Sequence, residues 1–200
     1  MNDRLIKKLK LLKQSKHRKV KNQFIAEGKR LVREAINYGN AVDLLFCTKT
    51  FYEKNKNDWQ GFLEVGNTMI EIITDSQFKS ISSTSTPSGI AALCNIPRNS
   101  YIDFKVREWI YLDKIRDPGN LGTILRSALW FGFKNIILSS ESVDPYNPKA
   151  IRSGMGSHFG LNLYQSIKLN NFIKTHLIIS GSTCGEDISN FKLPERYVLV

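Results

Sequence analysis

The residues best suited to chemistry fall in two stretches where a loop runs into a helix. In Asp113–Phe131 (DKIRDPGNLGTILRSALWF) the pair Asp117-Pro118 sets a turn, and Gly119 and Gly122 permit close backbone approach. Asn120 is placed to cap a helix whose free N–H groups would face an anion. Along that helix Thr123, Arg126 and Trp130 recur at i, i+3, i+7, opposite much of an apolar face of Leu121, Ile124, Leu125, Ala128 and Leu129. The planar fork of Arg126 suits a phosphate. Plain turn chemistry for the glycines and a surface ion pair for Arg126 account for the same spacing equally well. The stretch contains neither GxxxxGK[ST] nor GxGxxG, which argues against ATP and dinucleotide sites. In the second stretch, Ser142–Phe159 (SVDPYNPKAIRSGMGSHF), Lys149 and Arg152 precede the small residues Ser153, Gly154, Gly156 and Ser157. Basic side chains beside exposed amides suit a sugar–phosphate backbone, although a helix C-cap explains the glycines as well. An isolated His158 is more often structural than a general base.

Charge points the same way. The 200 residues carry 29 Lys and Arg against 18 Asp and Glu, a net +11. Residues 1–30 alone hold eleven basic residues against Asp3 and Glu27, so +9 of that excess sits in the first 30 positions. Such a block attracts a polyanion and gives salt-sensitive affinity through counterion release. A merely solvated helix face is the plainer reading. A membrane surface fits less well, because the stripe Leu5, Ile6, Leu9 and Leu12 lacks an interfacial Trp or Phe. No apolar run reaches the roughly 18 residues of a membrane span, and the Lys-rich start has no apolar core after it, so a cytosolic, soluble protein is expected. Cys47, Cys94 and Cys184 are widely spaced and do not cluster with His17, His158 or His176. Neither disulfides nor a metal site are expected, and all three thiols are expected to be buried and reduced.

The elements that must position these residues alternate between helix and strand. An amphipathic helix through Leu5, Leu9 and Leu12 is followed by a polar break over 14–23 and a short strand at Phe24–Ala26. A helix from Gly28 to Gly39, a strand at 41–47, a polar helix carrying Phe51, Trp59, Phe62 and Leu63, and a strand at Met69–Ile73 come next. Asp75 is expected to cap a short helix before a strand at Gly89–Ile96. These predict a small α/β/α domain over residues 1–96. Residues 97–108 (PRNSYIDFKVRE) read as an interdomain linker, and 109–200 as a second, parallel α/β domain. Its strands are placed at 109–113, 136–138, 161–164, 177–179 and 197–200, with helices over 121–129, near 150–152 and around 170–175. Val198–Val200 reads as a buried strand with nothing at its carboxyl end, where open α/β sheets build ligand sites. The chain is therefore expected to be a shortened form of a longer one.

Three segments together resemble the SpoU (TrmH-like) family of RNA ribose 2′-O-methyltransferases: DPGNLGTILRSALWFG (117–132), VDPYNPKAIRSGMGSHF (143–159) and SKHRKVKNQFIAEGKRLVREA (15–35). The first resembles the family's first motif closely, and the last resembles the substrate-binding domain that many members carry. The resemblance covers nearly the whole chain. It implies a catalytic domain whose C-terminal segment is threaded into a trefoil knot, S-adenosylmethionine bound in that knot, and a homodimer. The family's motif Asn falls on Asn120 and its essential Arg on Arg126, which are the implied catalytic residues. A guanidinium is a poor base, so Arg126 is read as gripping a phosphate and stabilising an alkoxide. RNA contacts are expected from Lys16, His17, Arg18, Lys19, Asn22, Lys29, Arg116, Lys149, Arg152, Ser153 and Ser157. The family's Gly-Asn-Glu-type loop and Ser-Leu-Asn-type helix start have no match here, so the knot is expected to be missing. Only Ser180, Gly181, Ser182 and Thr183 remain as a wall for the cofactor, and this chain by itself is expected to be weak or inactive. Ribosomal RNA is the leading substrate and transfer RNA the second. A non-enzymatic RNA-binding protein is the rival from another class.

Overall fold

Apolar residues at helical spacing wind the lysine-rich start into α1 (Asp3–Leu11), which buries Ile6 and Leu9 and leaves its lysines in water. The computed structural model describes residues 3–38, 42–55, 70–97, 101–185 and 187–200. The expected polar break at 14–23 is instead a second helix, α2 (Ser15–Lys21). Its cause is Arg18, only 2% exposed. The guanidinium donates to the carbonyls of Leu12 and Lys13, both at 2.8 Å, and so satisfies groups that the end of α1 leaves unpaired. On its other side it donates to Asp144 Oδ2, from Nη2 at 2.6 Å and Nε at 3.0 Å.

The chain continues through β1 (Gln23–Glu27), α3 (Lys29–Asn37), β2 (Val42–Thr48), a helical stretch over 49–55, β3 (Ile70–Ile73), α4 (Asp75–Ile81) and β4 (Ile90–Asn95). The expected apolar positions Trp59, Phe62 and Leu63, with Gly39, Ala41 and Met69, lie outside the described residues. The four strands run in the order β1-β4-β2-β3, antiparallel except for the parallel β2–β3 pair. One face is covered by α1, the turn after it and α4, which set Leu9, Leu12, Phe78 and Ile81 on Phe46 and Leu93. The other face is covered by α3 through Leu31, Val32 and Ala35. This is the α/β/α layering expected. The cap of α4 is Thr74 and not Asp75: Thr74 Oγ1 accepts from Gln77 N–H at 3.1 Å, and the Gln77 amide oxygen accepts from Thr74 N–H at 3.0 Å.

The second sheet comprises β5 (Glu108–Leu112), β6 (Asn135–Leu138), β7 (Asn162–Gln165), β8 (Leu177–Ile179) and β9 (Tyr197–Leu199), with α5 (Pro118–Trp130) and α6 (Pro148–Gly154) on the crossovers. All its pairings are parallel, in the order β7-β6-β5-β9-β8. The order reverses between β5 and β9, which opens a crevice at their carboxyl ends. The helix expected around 170–175 is a single 3-10 turn, Leu169–Asn171, followed by turns. Phe172, not helical periodicity, pins that segment: its ring lies 5.3 Å from that of Trp109 and 5.1 Å from that of Phe104. Nor is the expected linker a free tether. Ile102, Phe104 and Val106, at every second position, pack onto the second sheet, and His176 Nε2 donates to Val106 O at 2.8 Å.

The two sheets share one hydrophobic core. Phe24 of β1 stacks at 5.0 Å on Tyr146 and 5.9 Å on Phe159, and the apolar face of α3 joins Leu121, Leu125 and Ala128 of α5 in the same cluster. The Arg18–Asp144 pair lies on this seam, at 2% and 10% side-chain exposure. Removing one partner strands a buried charge. Asp144→Ala is expected to cost about 3 kcal/mol or more in urea unfolding, and the Arg18→Met/Asp144→Leu double variant less than the sum of the singles.

Candidate functional site

The start of α5 is built by Asp117, whose Oδ1 accepts from Asn120 N–H at 2.8 Å, with Pro118 in the first helical turn. The expected cap, Asn120, is thus the third helical residue, and it is exposed. Lys149 Nζ donates to Asp117 Oδ2 at 2.7 Å, and this contact, with the Asn120 amide, holds the carboxyl below its usual range. Gly122 does permit a close approach, but to α6: a Cβ there would lie 1.9 Å from Ser153 Oγ and 2.4 Å from Ala150 O. The helices α5 and α6 touch through this position, so no phosphate reaches it.

Farther along α5, Arg126 is exposed and borders a cleft of about 330 Å³ between α3 and α5. Arg30, Glu34 and Tyr38 form one wall, Arg126, Leu129 and Trp130 the other, and Gly154–Ser157 the floor. The floor can meet α3 only because residue 156 is glycine. Its φ is +97°, and a Cβ would stand 2.7 Å from Glu34 Cγ. Among the described residues the only hydrogen bond of the Arg126 guanidinium runs from Nη1 to Met155 Sδ at 3.2 Å, a weak acceptor. Arg30 and Arg126 have no ion pair among those residues, so two forked cations are available in one concavity.

The other predicted contacts divide. Lys16 and Lys19 are exposed on α2, with His17 half-buried, and Asn22 lines a neighbouring cleft of about 250 Å³ with Lys19, Gln165 and Ser166. Arg116 is exposed on the loop after β5. Arg18 is buried with its guanidinium committed to Leu12, Lys13 and Asp144, so it serves the fold rather than the expected RNA contact. Lys29 donates to Asn55 Oδ1 and lies 5.5 Å from the Phe51 ring centroid. Arg152 donates to Ser83 Oγ at 2.6 Å, and Ser153 Oγ is turned back on Lys149 O at 2.9 Å. Ser157 is buried beneath the cleft, its hydroxyl without a partner among the described residues. Ser180, Gly181, Ser182 and Thr183 form an exposed loop at the carboxyl end of β8, two strands from β5, with open space where a Gly181 side chain would stand. Small, exposed residues at that end of a parallel sheet fit one wall of a nucleoside site. Sequence reasoning missed the α3 wall and Met155, whose left-handed φ of +50° carries no residue-type signal.

The three cysteines also divide. Cys47 and Cys94 are buried, and burial pushes the Cys47 thiol up to about 11, while Cys184 is exposed, against expectation. No group of three or more His, Cys, Asp and Glu among the described residues could hold a metal, and no described helix is long and apolar enough to cross a membrane.

Residues 3–92 match the MRM3-like substrate binding domain and residues 108–200 the SpoU rRNA Methylase family. The chain is 32% identical over 154 residues to the 23S rRNA (guanosine(2553)-2′-O)-methyltransferase RlmP of Bacillus subtilis, covering 77% of this chain and 58% of that one. It is 33% identical over 175 residues to the mitochondrial rRNA methyltransferase 3 of Xenopus laevis, covering 82% of this chain and 40% of that one. It thus spans about half the length of these relatives. In fold it is similar to the AdoMet-bound rRNA methyltransferase from Sinorhizobium meliloti, with a TM-score of 0.79, 23% identity, and coverage of 98% of this chain and 77% of that one.

His158, beside Ser157, donates from Nε2 to Pro145 O at 2.8 Å, and burial pushes its imidazole down to about 4. It is neutral at physiological pH and enclosed, which removes it as a general base. The folded-state value lies below the ordinary 6.5, so protons favour the unfolded chain. Stability present above about pH 6.5 is expected to fall by up to about 3 kcal/mol as pH drops toward 4. His158→Gln, which keeps a donor for Pro145, is expected to lose that share of the slope in urea unfolding at stepped pH.

Proposed function

The chain belongs to the SpoU rRNA methylase family, and from that premise we propose that it captures RNA and positions the hydroxyl in an S-adenosylmethionine-dependent ribose 2′-O-methyltransferase of ribosomal RNA. The observation that carries the reading is Arg126: an exposed guanidinium on the helix after β5, with no ion pair among the described residues, walling a cleft between α3 and α5. The Bacillus subtilis relative is named for 2′-O-methylation of 23S rRNA and the Xenopus laevis relative for methylation of rRNA, which favours ribosomal over transfer RNA. Residues 1–96 serve as the RNA-binding part and 109–200 as the catalytic part, in a homodimer acting in the cytosol.

When bound, S-adenosylmethionine supplies an electrophilic methyl group, and Ser180–Thr183 would hold one side of it. Arg126 presents a planar, delocalised cation with N–H donors and no acceptor. It therefore grips the phosphate next to the target ribose and lowers the energy of the alkoxide forming at the 2′ oxygen. The hydroxyl proton passes to that phosphate, held against the same guanidinium. Asn120 lies six residues earlier in α5, about 9 Å along the helix axis, and orients the chain entering the crevice. Because methyl transfer is an in-line displacement, alignment of the hydroxyl supplies much of the acceleration.

Arg126→Ala in the intact protein is expected to lower methyl incorporation from labelled S-adenosylmethionine into rRNA by about 100-fold or more; normal incorporation by that variant refutes the assignment. Exchanging Lys16, Lys19 and Lys21 for Gln is expected to weaken RNA binding and flatten its salt dependence, by about 0.9 in log–log slope for each duplex phosphate no longer neutralised. Arg18 stays unchanged in this variant because it holds the fold.

A further inference from the structure

The cleft between α3 and α5 carries more than the grip on one phosphate requires. Trp130 is 86% exposed and Phe131 beside it 77%, while Tyr38 and Met155 also present apolar surface to solvent. A bare indole on the rim of a cationic concavity is unusual for a soluble surface, and it marks a place where something docks. The charge says what. Arg30 and Arg126 line the same cleft with a single carboxylate, Glu34. A flat apolar partner would leave two guanidiniums unpaired, at a cost of several hydrogen bonds. A nucleotide meets both needs, since its base has a π-face and its phosphate is anionic. The volume, about 330 Å³, is at the small end of ligand sites and suits one residue of a chain rather than a helix.

We propose that this cleft binds one unpaired nucleotide of the RNA, its base stacked on Trp130 and its phosphate between Arg30 and Arg126. The inference rests on the RNA methyltransferase reading and adds to it that the substrate is presented single-stranded at this point. Duplex RNA cannot supply the contact, because its bases are stacked on one another. Capture by the lysines of α1 and α2 and reading by the cleft are then separate steps, the first indifferent to strandedness and the second not.

The test is binding of a mixed-sequence single-stranded octaribonucleotide and of a duplex of the same sequence to the full chain, followed by anisotropy. Trp130→Ala is expected to weaken single-strand binding about 5- to 100-fold. Trp130→Phe should restore most of it, and duplex affinity should not move with either. Arg30→Gln is expected to lower the single-strand salt slope by about 0.7. Trp130 is so exposed that neither change threatens folding. Single-strand binding that Trp130→Ala leaves intact overturns the nucleotide site and spares the methyltransferase reading. Absence of any RNA binding by the unaltered chain overturns both. A Trp130→Ala variant that turns a dimer into a monomer by light scattering, with RNA affinity unchanged, gives the patch to a second copy of the chain and also overturns the nucleotide site.

Discussion

Everything that faces the solvent cleft depends on how the two sheets are locked to each other from within. The lock has an apolar part and an ionic part that do different jobs. Phe24, Tyr146 and Phe159 bring aromatic surface together at the seam, and burial of such a ring is worth about 2–3 kcal/mol. The Arg18–Asp144 pair adds little net stability, since removing two charges from water offsets most of their attraction. Its contribution is registry. A guanidinium that must reach two carbonyls and one carboxylate at once fixes the angle at which α1 and α2 meet the loop before α6. With that angle set, α3 lies opposite α5 and Gly156 can touch Glu34.

This arrangement sorts a large and nominally uniform positive charge. Arg18 is spent on the fold, Lys149 on the cap of α5, Lys29 on Asn55, and Arg152 on Ser83. Lys16, Lys19, Arg30 and Arg126 have no hydrogen bond or ion pair to a charged or neutral oxygen among the described residues. The result is a field strong enough to draw in a polyanion and a small set of forked cations that can hold it in one pose. Net charge speaks to capture; only the unpaired groups within a concavity speak to recognition.

The parallel sheet, the βαβ crossovers and the three-layer amino-terminal half were legible because apolar runs of strand length alternate with residues at helical spacing. The stretch around Asn120 and Arg126 stood out through its resemblance to the family's first motif, since turn chemistry and a surface ion pair fit its spacing equally well. What was not legible depends on distant partners. Nothing local distinguishes Arg18 from Lys16 or Lys19, and its burial follows from Asp144, 126 positions away. The same holds for α2, a polar segment that is helical because it carries that one buried cation. Asp117 displaced Asn120 as cap because a proline following it in the first turn fits a helix start better than a turn ahead of it. The α3 wall of the cleft could not be read at all, since Arg30, Glu34 and Tyr38 become neighbours of Arg126 only through the shared core.

The shared core makes α3 and α5 one pair of walls, and the proposed RNA contact runs along both. Segment-resolved hydrogen exchange of the chain with and without a saturating single-stranded oligoribonucleotide tests it most directly. Amides in residues 30–38, 126–131 and 154–157 are expected to gain protection together and at the same RNA concentration. Protection confined to the lysine-bearing helices α1 and α2, with residues 126–131 exchanging at their RNA-free rate, would contradict it.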